Sequence, residues 1–146
     1  KIAANIFHQI LAALLYLKRM GISHRDIKPE NILFGKEMQV KLGILVSAVK
    51  QWGQKDNLEK PLVELLLIVL LNSLKTAYNP ELMDVWSLGV TLYAMLAVEL
   101  PFEGLTNEKK RSNIINCRWA FKPFFSARVN KLLNSIFVDA SSRISL

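Results

Sequence analysis

The stretch His24-Arg25-Asp26-Ile27-Lys28-Pro29-Glu30-Asn31 decides how this chain is interpreted. It follows an amphipathic helical pattern and precedes a short apolar run that begins with Ile32-Leu33. Pro29 excludes a regular α-helix through the segment and biases Lys28 toward an extended backbone. The segment is therefore predicted to be a loop from which its polar side chains project.

Three of these side chains form a set that suits phosphoryl transfer. The carboxylate of Asp26 can accept a hydroxyl proton, and the ammonium of Lys28 can neutralise a transferring phosphoryl group. The amide oxygen of Asn31 can ligate a hard cation such as magnesium. A charged turn after a helix would explain any one of these residues alone. The complete spacing, with further matching segments downstream, favours the chemical interpretation.

The order and spacing of the octet resemble the catalytic loop of eukaryotic-type protein kinases, H-R-D-x-x-x-x-N. Lys28-Pro29-Glu30 is similar to the serine/threonine branch, and Ser87-Leu88-Gly89-Val90 with Leu100-Pro101-Phe102 resembles its calmodulin-dependent and AMP-activated members. The resemblance implies ATP and Mg²⁺ as cofactors and serine or threonine of a protein as substrate.

The resemblance also implies a role for each residue of the loop. Asp26 would orient the attacking hydroxyl, and Lys28 would offset charge on the transferring phosphate. Asn31 would ligate one magnesium ion. The residues expected to contact the nucleotide are Lys28, Glu30 and Asn31, and those expected to support the loop are His24 and Arg25.

The flanking segments predict a mainly α fold with one short hairpin. Apolar residues recur at helical spacing from Ile2 to Met20, and Gly21 supplies a left-handed stop. The runs 32–34 and 40–42, separated by the turn-forming residues 35–37, predict a β-hairpin. By resemblance this is the large, C-terminal lobe of a protein kinase, with the small lobe absent.

Downstream motifs predict the support of the loop. Asp84, in the segment 79–90, is expected by resemblance to begin a long buried helix and to bond to the catalytic-loop backbone, and a helix N-terminal carboxylate is physically compatible with this. Residues 106–111 are expected to be a solvated basic helix face, and Ser126 is a candidate N-cap of a further helix. Arg143 lies in a segment similar to D-P-x-x-R-x-S, in which the arginine pairs with the glutamate of Ala-Pro-Glu.

Residues 44–76 depart from the family pattern. Where the family places Asp-Phe-Gly, this chain has Ile44-Leu45-Val46, none of which can ligate a hard cation. The Gly-Thr-x-x-Tyr-x-Ala-Pro-Glu ending of an activation segment is also absent, and Asn72 or a neighbour stands where its glutamate belongs. We therefore expect a loosely held segment, and an Arg143 without its partner, which as a buried unpaired charge would cost several kcal/mol.

A shift of reading frame explains this departure. In this shifted frame, each new codon combines the last base of one residue's codon with the first two bases of the next residue's codon. Read in this way, the codons of residues 43–46 can encode Asp-Phe-Gly. In the same frame, residues 63–72 can encode Gly-Thr-x-x-Tyr-x-[Ser/Ala]-Pro-Glu at the family spacing. Coincidence through codon degeneracy is the alternative. We interpret 44–76 as a frameshifted stretch between two compensating changes.

The composition argues against several other classes of protein. The chain has 146 residues, a net charge of +7 and one cysteine, Cys117. One cysteine argues against a disulfide framework and fits a reducing compartment. The basic residues look scattered rather than interleaved with aromatics, so we expect no nucleic-acid partner. The most apolar run, 62–71, is about half as long as a spanning helix requires, so we expect no membrane partner and a soluble, cytoplasmic protein.

The sequence thus predicts that residues 1–146 are a partial protein kinase domain, the C-lobe only, with an aberrant activation segment at 44–76. Lys1 in place of methionine indicates a fragment. Phosphoryl transfer by this chain is expected to be severely impaired. The competing interpretation is a non-catalytic, pseudokinase-like binding module or the product of a decayed gene.

Overall fold

The computed structural model describes residues 1–43 and 79–146 of the chain. Their helices and strands, in chain order, are α1 (Ile2–Arg19), β1 (Ile32–Phe34), β2 (Val40–Leu42), α2 (Pro80–Ala97), α3 (Asn107–Ile115) and α4 (Ala127–Ile136). Single 3-10 turns occupy Pro29–Asn31 and Lys36–Met38. The mainly helical fold with one hairpin confirms the predicted class for these residues. The predictions made for residues 44–76, including those that concern Ile44-Leu45-Val46, lie outside the residues that the structure describes.

Helix α1 follows the predicted pattern closely. Ile6, Ile10 and Leu14 recur on one face and are buried, which is the spacing of an amphipathic helix. Gly21 then adopts a left-handed φ of 70°, a conformation that costs glycine little because it has no Cβ. Both the predicted helix and its predicted stop are confirmed.

The hairpin is antiparallel and pairs Ile32 with Leu42 and Phe34 with Val40. Its turn is closed by the Gly35 N–H, which donates to the Gln39 carbonyl at 2.7 Å. Within β1 only Ile32 is buried, and it packs against the buried apolar residues of α1. The predicted hairpin is confirmed with the predicted strand bounds.

Helix α2 is the central helix of the described residues. Asn79 caps it by accepting a hydrogen bond from the Glu81 N–H at 3.0 Å, and Pro80 occupies the first turn, where proline lacks no required donor. The expectation that Asp84 begins this helix is wrong, because the Asn79-Pro80 cap starts it four residues earlier. Asp84 is consequently buried within the helix.

Two apolar clusters meet on α2. One surrounds Trp86 and Tyr93 and includes Phe102 and residues of α4, and the other joins Leu88 to α1 and the hairpin. Trp86 stacks on Phe102 with ring centroids 5.1 Å apart. Since α2 contributes to both clusters, it fixes the loop after α1 relative to the C-terminal helices.

Helices α3 and α4 cover the end of α2. Thr106 caps α3 through the Lys109 N–H at 3.2 Å, and most of the Thr106–Arg111 segment is exposed, as expected. Ser126 caps α4 by accepting from the Val129 N–H at 3.3 Å, which confirms the predicted cap. α4 approaches α2 at Gly89, where an added Cβ would lie 2.6 Å from Ile136 Cγ2.

Candidate active site

Asp84 holds the loop that carries the predicted site. Its two carboxylate oxygens accept hydrogen bonds from the backbone N–H groups of His24 and Arg25, each at 2.7 Å. Arg25 has a left-handed φ of 66°, which is uncommon for a side chain of this size and costs free energy. The Asp84 carboxylate therefore stabilises a strained bend immediately before Asp26.

Burial has the largest effect on the pKa of the Asp84 carboxyl. Removal of Asp84 from water raises the pKa of its carboxyl above the ordinary value of 3.8, because a buried charge is poorly solvated. The two backbone hydrogen bonds, from Arg25 and His24, lower that pKa and oppose the rise, as does the charge of Arg25.

The three side chains predicted to act together converge. Asn31 Nδ2 donates to the Asp26 carbonyl at 2.8 Å and to Asp26 Oδ2 at 2.7 Å. Lys28 Nζ lies 3.2 Å from Asp26 Oδ1. Lys28 has an extended backbone, with φ −158° and ψ 159°, as its position before Pro29 requires. An acid, a cation and an amide thus share one half-buried bend.

The remaining loop residues occupy distinct environments. His24 is buried, and its Nδ1 accepts a 3.3 Å hydrogen bond from the Asp26 N–H, so it fixes the backbone beside the carboxylate. His24 Nε2 and Arg25 Nε have no hydrogen-bond partner among the described residues. Glu30 is exposed, and within residues 1–43 and 79–146 its side chain makes no hydrogen bond or ion pair.

The hairpin leads from this bend to residue 44, where the family has the metal-binding aspartate of Asp-Phe-Gly and this chain has isoleucine. The Gly43 N–H donates to the Asn31 carbonyl at 2.7 Å, which holds the chain beside Asn31 just before it reaches residue 44. Gln9 of α1 steadies the hairpin, since its Oε1 accepts from the Val40 N–H at 2.8 Å and its Nε2 donates to the Met38 carbonyl at 3.2 Å. Sequence reasoning missed Gln9, because a polar residue on an amphipathic helix carries no signal of a tertiary partner.

The described residues fit a nucleotide-bound magnesium ion only in part. Because Asn31 Nδ2 donates to Asp26, its Oδ1 remains as an oxygen ligand of the kind that magnesium accepts. Within the described part of the chain, however, no group of three or more His, Cys, Asp or Glu residues could hold a metal ion. A carboxylate from residue 44 would be needed, and that residue is isoleucine.

Arg143 lies apart from this bend, against the beginning of α2 and the end of α4. Its guanidinium donates to the carbonyls of Ile136, Leu82 and Val138 at 2.9, 3.1 and 2.8 Å. It also lies 4.6 Å from the ring centroid of Trp86. Burial lowers the pKa of Arg143. No described carboxylate forms an ion pair with it, so backbone carbonyls and an aromatic face surround this charge.

Fold and loop define the class of this protein. A protein kinase domain model matches residues 1–146, and the chain belongs to the eukaryotic-type protein kinase family.

Its similarity to individual proteins points to the serine/threonine branch. The chain is 34% identical to sperm motility kinase 2A of Mus musculus, covering 94% of this chain and 27% of that protein. It is 32% identical to CBL-interacting serine/threonine-protein kinase 5 of Arabidopsis thaliana, covering 99% of this chain and 33% of the relative. The crystal structure of Rad53 1-466 in complex with AMP-PNP matches with a TM-score of 0.71 and 26% identity, over 99% of this chain and 37% of that one.

Two further facts bound these similarities. The chain spans about a third or less of the length of the relatives it matches. Among the helices of the described residues, none combines the length and apolar character that crossing a membrane requires.

Proposed function

We propose that this chain is the C-lobe part of a serine/threonine protein kinase domain, whose reaction is ATP-dependent phosphoryl transfer to a protein hydroxyl. The observation that carries the proposal is the convergence of Lys28 and Asn31 on the Asp26 carboxylate, each within hydrogen-bond distance of one of its oxygens. These residue types in this order supply the acid, the cation and the amide that phosphoryl transfer uses.

Each residue has a definite role in that reaction. Asp26 Oδ1 or Oδ2 accepts the hydrogen bond of the attacking hydroxyl and orients it. Lys28, now 3.2 Å from Asp26 Oδ1, offsets negative charge where the phosphoryl group passes. Asn31 positions Asp26 through Nδ2 and offers Oδ1 to a cation. Lys28, Glu30 and Asn31 form the nucleotide side of the bend, and His24, Arg25 and Asp84 hold its backbone. Arg143 supports the fold from a distance, by joining the beginning of α2 to the end of α4.

We further propose that the chain as printed is catalytically inert. Ile44-Leu45-Val46 supplies no ligand for the principal metal ion, and the printed residues contain no glycine-rich G-x-G-x-x-G loop of the family. The same double departure is compatible with a pseudokinase-like binding module. The frameshift hypothesis for residues 44–76 is tested by reading the nucleotide sequence, and a stop codon within the alternative frame would refute it.

A nucleotide titration separates an inert chain from a binding module. We expect the melting temperature of the full chain to stay unchanged when ATP and magnesium are added, since ligand binding to the folded state would raise it. A rise that disappears in Asn31→Ala and Lys28→Ala would instead establish nucleotide binding at this bend.

The assignment of the catalytic roles is tested by completing the domain. The small lobe of sperm motility kinase 2A is joined before Lys1, and the alternative-frame segment replaces residues 44–76. We expect phosphate transfer to protein serine or threonine, falling by about 100-fold or more in Asp26→Asn, the size of a general-base contribution. A folded chimaera that is equally active with Asn at position 26 would overturn the proposal.

A further inference from the structure

The basic residues are not scattered evenly, as their distribution first suggests, but are concentrated in one part of the sequence. Of the 19 lysines and arginines, seven lie between residues 109 and 138, and no aspartate or glutamate occurs in that range. Five of the seven are exposed, namely Lys109, Arg111, Arg118, Arg128 and Lys131. The range 109–138 therefore carries a formal charge of +7, as large as the net charge of the whole chain.

Exposed apolar side chains occur within the range 109–138 and just before it. Phe121 and Phe124 are 63% and 67% exposed, and Leu100 and Val98 are 46% and 92% exposed. We name these four side chains the aromatic patch. Large apolar side chains grouped on a surface commonly mark a site of interaction.

The backbone places the members of the patch side by side. The Ala120 N–H donates to the Pro101 carbonyl at 2.8 Å, and Lys122 forms an ion pair with Glu99. These two cross-links align residues 99–101 with 120–122, so that Leu100 and Phe121 occupy facing positions between them. Val98 and Phe124 flank the ion pair along the chain.

Buried residues hold this arrangement from below. The Tyr93 hydroxyl donates to the Ala120 carbonyl at 2.7 Å, and the Tyr93 ring meets the Phe125 ring edge-on at 5.3 Å. The Phe124 ring in turn packs against the Phe125 ring at 5.1 Å. The patch is therefore attached to the apolar cluster around α2.

We call the exposed basic residues near the patch along the chain, Arg118, Arg128 and Lys131, the basic rim. We propose that the aromatic patch with this basic rim is a docking surface for a protein segment that carries apolar anchors flanked by aspartate or glutamate. An apolar, aromatic centre with a charged rim is the usual composition of a protein interface, and the absence of acidic residues from 109–138 fits an acidic partner. The proposal goes beyond the proposed function, because binding here requires no catalysis.

Other occupants fit the surface less well. A second copy would bring two basic rims together, and like charges oppose association. Insertion into a lipid surface would dehydrate the Glu99–Lys122 ion pair within the patch, which is costly. For nucleic acid, two of the four patch side chains, Val98 and Leu100, are aliphatic and offer no aromatic face for stacking on bases.

The test selects partners by chemistry. Random short peptides displayed on phage are selected on the immobilised full chain and counter-selected on the Phe121→Ser, Phe124→Ser variant. We expect the selected peptides to combine Asp or Glu with Leu, Ile or Phe, and their affinity to fall as sodium chloride is raised. Peptides without acidic enrichment, or no selected peptide at all, would overturn the proposal.

Matched variants locate the binding. Phe121→Ser with Phe124→Ser, and separately Arg128→Glu with Lys131→Glu, should each weaken binding by about 10-fold or more, as for interface anchors. Tyr16→Ser on α1, where the side chain is also 63% exposed, and Lys36→Glu with Lys41→Glu on the hairpin should leave it unchanged. Equal losses in the control variants would refute the location. Sedimentation with phosphatidylserine vesicles, or self-association, that depends on Phe121 would show the other occupants and overturn it.

Discussion

Asp84 is the residue on which the shape of the catalytic loop depends. Its carboxylate accepts the N–H groups of His24 and Arg25, so Asp84→Ala leaves two buried donors without a partner. Each costs about 1–3 kcal/mol, and we expect a loss of roughly 2–5 kcal/mol in the free energy of unfolding. Urea denaturation of the full chain measures it. Glu103→Ala, which removes an exposed carboxylate from the loop before α3, should change stability by less than about 0.5 kcal/mol. Equal effects in both variants would show that the Asp84 hydrogen bonds contribute little.

The raised pKa of Asp84 also predicts a pH dependence. Because burial raises the folded-state pKa above the ordinary 3.8, the folded state holds this proton more tightly than the unfolded state. In the window from 3.8 up to the raised folded value, the contribution of Asp84 to stability therefore falls as pH rises. Removing the group in Asp84→Asn should make the slope of unfolding free energy against pH more positive across that window. Denaturant titrations at several pH values measure the slope, and an unchanged slope would contradict the shift.

The residue types in the loop predict the chemistry of the site, but they do not predict its backbone conformation. Asp26, Lys28 and Asn31 could be grouped from the sequence because they lie within six residues and Pro29 keeps them off a regular helix. The left-handed φ of Arg25 could not, since it depends on a carboxylate 59 residues further along the chain. Local preference disfavours that conformation, and a tertiary contact imposes it.

At the scale of elements, α2 and α4 can approach closely because Gly89 has no side chain. A Cβ at position 89 would lie 2.6 Å from Ile136 Cγ2 and 3.1 Å from Phe137 Cε1. We expect Gly89→Ala to destabilise the fold, because an overpacking cost of about 1–3 kcal/mol exceeds the gain in helix propensity of about 1 kcal/mol. Thermal unfolding measures the change.

The matched control for this prediction removes the atom that obstructs alanine. Leucine has no Cγ2, so in an Ile136→Leu background the penalty of Gly89→Ala should shrink. A penalty of the same size in both backgrounds would place the strain elsewhere.

Periodicity predicted the helices well, while their junctions depended on contacts that periodicity does not encode. The α1 pattern, the hairpin and the Ser126 cap follow from local residues, and all three are confirmed. The start of α2 is the exception. The family resemblance predicts that the helix begins at Asp84, whereas the local start signal, Asn79-Pro80, predicts the observed start. The hydrogen bonds from Gln9 to the hairpin join residues about thirty positions apart, and no local rule predicts them.

At the scale of the whole molecule, Arg143 joins distant parts of the chain. It donates to Leu82 near the start of α2 and to Ile136 and Val138 at the end of α4. In the family pattern this arginine also pairs with the glutamate of Ala-Pro-Glu, which residues 44–76 lack. Breaking such a pair by removing one partner is strongly unfavourable, because a partly buried charge is left uncompensated.

Restoring that glutamate is therefore expected to stabilise the molecule. Replacing residues 44–76 with the alternative-frame segment, which contains the Pro-Glu of the family motif, should raise the melting temperature of the full chain measured by calorimetry. The gain should shrink when the new glutamate is made glutamine, since glutamine keeps the shape but not the charge. It should shrink equally in Arg143→Met, and the two losses should not add, because both remove the same pair. No rise on replacement, or additive losses, would show that this ion pair does not connect the segment to α2 and α4.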